Sequence, residues 1–346
     1  MVDHGLVQTK KKIIVLHQGQ PDYQPAQSSW KIKDLIISSI NSLGYNTTSL
    51  FVDEEFKWVD TLQDCKNQEE VVLVFNAADL GLFYNIGFES HIPTILEAVQ
   101  IPFTGSRGIT LANCIDKYNT KILAREEGIP VPTIYLLSKA LDNLGTLHYP
   151  FILKPRSSYG SKGINIDSVV RYEKELQIQA GKLEQQKELF SAWIVEEYLE
   201  EGEYPEITCG FVGNKSRLFL PPIGFEFSGW YDGKPRIRDY ASKFSPESGQ
   251  YGQCAAKSVV LNRQLQERLE YLTNTIADLF EVQDYGRFDF RLRRTDNGLE
   301  PCLIDINANP DLNDDASLFF MSKAYGRDYN FLIERIVDAA RERYEK

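Results

Sequence analysis

The chain has 346 residues, room for two or three domains or one large α/β domain. At 42% hydrophobic and 25% charged residues, it has the composition of an ordinary globular protein and not of a disordered one. Its 49 acidic against 38 basic residues give a formal charge of −11, which excludes non-specific nucleic-acid binding, since that needs clustered Lys and Arg to displace counterions.

The lysines at 10–12 precede only a short apolar run, IIVL, that meets His17 and Gln18 at once. It reads as a first β-strand and not as a secretory signal. No stretch of about 20 apolar residues suits a membrane span. Five cysteines, Cys65, Cys114, Cys209, Cys254 and Cys302, are scattered without CxxC spacing. They suggest reduced thiols in a cytoplasmic protein, not a disulfide frame or zinc site.

In chain order, KIIVLH (12–17) is a strand, and residues 28–43 place Ile32, Leu35, Ile36, Ile40 and Leu43 on one helical face, with Gly44 as a stop. TSLFVD (48–53) and VVLVFN (71–76) are further strands, and SHIPTILEAV (90–99) is a helix. Strands separated by helices imply a parallel sheet. From about 105 to 190, ITLANCIDKYNTKILAREEGIPVP reads as two short helices, the second ended by Gly128 and Pro130, and PFILKP (150–155) as a strand. The remainder holds strands at 193–199, 206–213, 216–221, 285–293 and 299–306. A helix over about 262–280 has Asn262 as N-cap, and a closing helix spans about 328–344. Residues 229–253 are polar and aperiodic, a long loop of the kind that is functional or mobile.

Three segments carry chemistry. In YGRFDFRLRRTDNGLEPCLIDINANPDL (285–312), two strands joined by a TDNG turn form a hairpin. Strand alternation lets Asp289 face Asp305 and Asn307, with Arg287 nearby. Hard oxygen donors without His or Cys suit Mg²⁺ held jointly with substrate phosphates; the alternative is a solvated sheet face. In PFILKPRSSYGSKGI (150–164), a Gly/Ser loop follows Lys154. Backbone N–H groups there can cradle phosphate, although such clusters also mark ordinary turns. In WIVEEYLEEGEYPEITCGF (193–211), acids at a strand edge can serve an adenosine or form a charged surface turn.

Together, and in this order, the segments resemble the ATP-grasp superfamily and its D-alanine–D-alanine ligase-like branch, over roughly residues 12–345. IPFTGSRGITLANCIDKYNTKILAREEGIPVP resembles that branch's IPYTGS…DK…K…GIPVP segment, while RFDF and LIDINANP resemble RVDF and LEVNxNP. The resemblance implies an α/β protein with an α+β nucleotide-binding part: a three-domain ATP-grasp fold with an N-terminal parallel-sheet domain. The domains would span about 1–104, 105–192 and 193–346, with the nucleotide between the last two.

Position by position, Lys117 and Lys154 match the lysines that meet ATP phosphates, and the loop 158–163, with Ser158, Gly160, Ser161 and Gly163, the loop that closes over them. Glu196, Glu197, Tyr198 and Leu199 match the adenine hinge. Glu206 matches the ribose contact, although EGEYPE is two residues longer than usual. Asp289, Asp305 and Asn307 match the Mg²⁺ ligands, for one or two ions with Mn²⁺ able to substitute. Arg287 matches the arginine on the oxyanion, and Lys243 the mobile-loop lysine. His91, Asp311 and Ser317 are candidate substrate contacts.

There are departures. Asp305 stands where the family has Glu, Phe244 replaces a Tyr, and Asp311 stands at a family Gly. HQGQPDYQPAQSSW lacks the Glu that grips the first D-alanine, and FNAADLGLFYNIGFES lacks the HGxxGED stretch. The implied activity is a ligase that phosphorylates a carboxylate and joins it to an amine, releasing ADP and phosphate, on substrates other than those of cell-wall synthesis. The alternatives are imine formation through a non-carboxylate oxygen, as in mycosporine-like amino acid assembly, and a nucleotide-binding module without turnover. A Rossmann dehydrogenase is excluded by the missing GxGxxG. The partners are small molecules, not nucleic acid or membrane, and a homodimer is compatible with the reading.

Overall fold

The β-branched runs near the N-terminus pair with one another. β1 (Lys12–His17) lies between β2 (Asn46–Phe51) and β3 (Val71–Asn76), parallel to both. Parallel pairing needs crossovers, supplied by α1 (Gln27–Ser42) and α2 (Lys57–Asn67). The computed structural model describes residues 11–18, 27–68, 71–78, 88–227, 233–245, 247–249 and 251–345. The IIVL run of β1 is apolar without alternation because both its faces are covered. Ile13 and Val15 meet α1 and α11 (Tyr329–Tyr344), while Ile14 and Leu16 meet Trp58 and Leu62 of α2 and Leu96 of α3 (His91–Ala98).

A second, antiparallel sheet has the order β4 (Ile134–Leu136), β7 (Trp193–Glu197), β5 (Phe151–Pro155), β6 (Val169–Val170). One face is packed by α6 (Leu137–Asp142) and α7 (Glu173–Gln185) through Leu137, Leu176 and Leu183. The other face carries Lys154 and Glu196.

The third sheet runs β10 (Ala255–Ser258), β9 (Leu218–Glu226), β8 (Glu201–Val212), β11 (Tyr285–Thr295), β12 (Gly298–Asn307), all antiparallel. Beneath it α9 (Arg263–Leu279) packs Leu269, Leu272 and Ile276 against Phe288, Phe290 and Leu292. Asn262 caps that helix, its side chain accepting from the Leu265 N–H at 2.9 Å. The same core receives Leu111 and Cys114 of α4 (Gly108–Ile115) and Ala124 of α5 (Lys117–Glu126), so α5 is seated against the third sheet while leading into the second.

Two expectations are corrected. β8 begins at Glu201 and not at 206: Glu201 pairs with Leu292 and Glu206 with Arg291, so four residues bulge out between adjacent pairings. Gly202, at φ 86°, permits that excursion, which absorbs the long EGEYPE segment. The loop 229–253 is not without regular structure, since α8 (Tyr240–Phe244) forms within it, capped by Asp239; residues 229–232, 246 and 250 lie outside the described residues. Among the described residues no helix is long and apolar enough to cross a membrane. The five cysteines are unpaired.

Candidate active site

Alternation along β11 puts Phe288, Phe290 and Leu292 in the core and Arg287, Asp289, Arg291 and Arg293 on the opposite face. The register sets Arg287 against Asn307 and Asp289 against Asp305. On β12, Leu303 and Ile306 both reach the core, which strict alternation forbids for residues three apart. A bulge at Ile304 resets the phase and turns Asp305 and Asn307 to the charged face. Asp289 accepts from Thr208 Oγ1 at 2.8 Å, Arg287 Nη2 at 3.2 Å and Asn307 Nδ2 at 3.4 Å. Burial pushes its carboxyl up, opposed by Arg287 and reinforced by Glu206 and Asp305. Burial acts on Asp305 in the same sense, but Lys117, Lys121, Lys154 and Arg287 together hold it below the usual range.

Those lysines come from the second sheet and from α5. Asp116 caps α5, accepting from the N–H groups of Tyr118 and Asn119 at 3.1 Å, and receives Arg156 through two bonds of 2.8 and 2.6 Å. This fixes Lys117 at the first helical position. Its Nζ donates to the Ser158 carbonyl at 2.5 Å and lies 3.6 Å from Asp305 Oδ1. Lys154 and Glu196 are diagonal neighbours on β5 and β7, joined at 2.6 Å, and Lys121 Nζ lies 3.0 Å from the other Glu196 oxygen. Burial would raise the Glu196 carboxyl, yet the two ammonium groups bring it below its ordinary value. Burial pushes Lys121 down to about 8 against the pull of Glu196.

The 158–163 loop turns on left-handed backbone at Gly160 (φ 61°), Ser161 (φ 63°) and Gly163 (φ 79°). Ser161 Oγ donates to the Arg238 carbonyl at 2.6 Å and accepts from Lys243 Nζ at 2.7 Å, so α8 touches the loop directly. Burial pushes Lys243 down to about 8, with Arg238 adding to the fall.

At the hinge, the Glu197 carboxylate is engaged by Arg293 Nη2 at 2.7 Å and the Thr133 N–H at 2.9 Å. Its side chain fastens the second sheet to the third. Tyr198 N–H donates to the Pro150 carbonyl at 3.0 Å, and the Leu199 carbonyl accepts from Arg291 Nη1 at 2.8 Å. Glu206 sits 3.4 Å from Arg238 and 3.5 Å from Arg291. His91 is exposed, its Nδ1 3.2 Å from the Phe88 carbonyl. Asp311 is close enough to feel Arg287 but turns to Asn313, accepting twice at 2.9 Å. Ser317 opens α10 (Ser317–Ala324). The contacts described for these three do not join them to the lysine–carboxylate cluster.

Arg291, Arg293 and Arg156 were not singled out by sequence reasoning, and Asp116 and Lys121, which stand in the matched DK…K segment, were given no role there. The signal for Arg291 and Arg293 was the alternating R-x-D-x-R-x-R of 287–293; that for Lys121 was its i+4 spacing from Lys117.

Two carboxylates and a carboxamide oxygen, set face to face on adjacent strands, fit a hard divalent cation such as Mg²⁺. A facing pair of acids is what such an ion relieves, and so small a ligand set leaves positions for phosphate oxygens.

A family model described as the D-ala D-ala ligase C-terminus matches residues 123–338. The chain belongs to that family. Among relatives of this ligase-family chain, an uncharacterized protein of Sinorhizobium fredii, y4sG, is 27% identical over 333 residues, covering 94% of this chain and 93% of its own. The D-alanine–D-alanine ligase of Alcanivorax borkumensis is 28% identical over 293 residues, covering 84% and 83%. The Bacillus anthracis D-alanine–D-alanine ligase solved in complex with ATP superposes with a TM-score of 0.70 at 20% identity, over 96% of this chain and 99% of that one. VanG D-Ala:D-Ser ligase from Enterococcus faecalis gives 0.70, 20%, 96% and 99%. The fold is that of the ATP-grasp ligases, with the N-terminal three-stranded parallel sheet as its first layer.

Proposed function

We propose that this member of the ligase family is an ATP-dependent carboxylate–amine ligase. The γ-phosphoryl group of ATP passes to a carboxylate oxygen, giving an acyl phosphate and ADP. An amine then attacks the acyl carbon, forming the C–N bond and expelling phosphate. The observation that carries this reading is the 3.6 Å approach of Lys117 Nζ to Asp305 Oδ1, with Lys154 beside them. Cations from α5 and the second sheet meet carboxylates from the third, the arrangement a triphosphate and its counter-ion require. Asp289, Asp305 and Asn307 would hold Mg²⁺, which supplies charge neutralisation at the departing phosphoryl group. Arg287 has a buried Nε with no hydrogen-bond partner among the described residues, a donor kept for an oxyanion. Lys243 on Ser161 would draw the loop over the phosphates and exclude water from the acyl phosphate.

The nucleotide would lie between a central unit of about 105–192 and a C-terminal unit of about 193–346, with the first 104 residues on the substrate side. The amino-acid pocket differs from that of cell-wall ligases, given Asp311 in place of Gly and the absent Glu and HGxxGED segments. Hydroxylamine trapping tests the chemistry. With MgATP and a panel of amino-acid carboxylates, the protein should form a hydroxamate together with ADP for at least one carboxylate. ADP release that never yields hydroxamate would argue for activation of another oxygen.

A further inference from the structure

Three ammonium groups, those of Lys117, Lys121 and Lys154, converge on Asp305, and of these the proposed reaction employs only Lys117 and Lys154. The third, Lys121, is buried to 1% exposure, and the acceptors its Nζ reaches are protein oxygens. It sits one turn beyond Lys117 on α5, hence on the same helical face. Its Nζ donates to the Ile304 carbonyl at 2.7 Å and lies 3.0 Å from Glu196 Oε2. Ile304 is the extra residue of the β12 bulge and immediately precedes Asp305. The other Glu196 oxygen accepts from Lys154 Nζ at 2.6 Å.

We infer that Lys121 is a positioning residue for the nucleotide site: it fixes Asp305 through the Ile304 carbonyl and Lys154 through Glu196, holding the metal hairpin and the phosphate lysine in one register. The inference rests on the ligase reading of the same cleft. A buried ammonium is costly to desolvate and persists where several acceptors surround it. Without it, Glu196 would keep only Lys154, drawing that charge away from a phosphate. The bulge carbonyl would lose its donor, freeing the backbone next to Asp305. Both effects loosen metal–nucleotide binding and leave the groups at the reacting carbon untouched.

Calorimetric titration with ATP, with and without Mg²⁺ and with no acceptor present, separates the possibilities. Lys121→Met removes the charge, and Lys121→Gln retains a donor should the first variant fail to fold. Leu272→Ala, in the core beneath the hairpin, is the control for general destabilisation. The Lys121 variants should weaken MgATP binding about 10–100-fold, the usual effect of losing an outer-shell partner, and shift the Mg²⁺ requirement upward. Leu272→Ala should lower the melting temperature with MgATP affinity unchanged. The inference is overturned if either folded Lys121 variant binds MgATP like the wild type, or if Leu272→Ala weakens binding equally. Wild-type protein that binds no MgATP would overturn the ligase reading itself.

Discussion

At Lys154 the ammonium would meet charge that ATP already carries on binding; at Arg287 the guanidinium would meet charge that develops only during reaction. The two substitutions should therefore separate. Lys154→Ala should weaken ATP binding, while Arg287→Ala should leave it nearly intact and lower kcat about 100–1,000-fold, the usual loss for one oxyanion donor. Equilibrium binding beside steady-state kinetics checks this, and an Arg287→Ala protein that turns over normally at saturation but binds ATP poorly would reverse the assignment. His17 supports a different expectation. Burial, with Lys33 beside it, lowers its pKa from 6.5 to about 4. Between those values the unfolded chain binds a proton that the folded chain does not, so stability should rise with pH across that window and level off above it. The difference is on the order of 3 kcal/mol. Urea midpoints at pH 4.5 and 7 should diverge less in His17→Asn than in the wild type; equal divergence would show that other groups set the slope.

Among the elements, the phosphate loop is the most exacting in backbone. A Cβ at Gly163 would stand 2.7 Å from Pro155 Cγ on backbone at φ 79°, so the loop closes only with glycine there. Gly163→Ala should cost roughly 1–3 kcal/mol and raise the Kd for ATP, whereas Gly145→Ala, with open space around its Cβ, should change neither. Thermal melting and nucleotide titration of the pair decide it, and equal behaviour would remove the loop from the site. The β11–β12 hairpin was legible because its alternation and TDNG turn are local, and Asp289 does face Asp305. The bulge at Ile304 was not, since it is imposed by Leu303 and Ile306 sharing one core. β4, β6, β10 and α8 are too short to show a period. Glu197 and Glu206 read as ligand contacts from their motif, but their arginine partners lie far away in sequence. Lys121, the second lysine of the DK…K segment, shows its role only once folding sets it between two sheets.

In the whole molecule, the cleft is shaped by cores that cross between sheets. α1, α11 and the first sheet share one core with β8 and β9. Arg343 bonds Asp284 at 2.7 Å and the Phe103 carbonyl at 2.7 Å, tying the last helix to the segment that leads into α4. With α5 seated against the third sheet, Lys117 and Lys121 are carried to the hairpin, and a triphosphate in the cleft would be neutralised at its β- and γ-groups from both sides. That placement would make ADP the stabilised leaving group. The direct measurement is separation of the nucleotides formed from MgATP with panels of amino-acid carboxylates and amines. ADP and phosphate should appear together with ligated product, should persist in Asp305→Glu, and should vanish in Asp305→Ala. AMP and pyrophosphate as the main products, or full turnover in Asp305→Ala, would contradict the account.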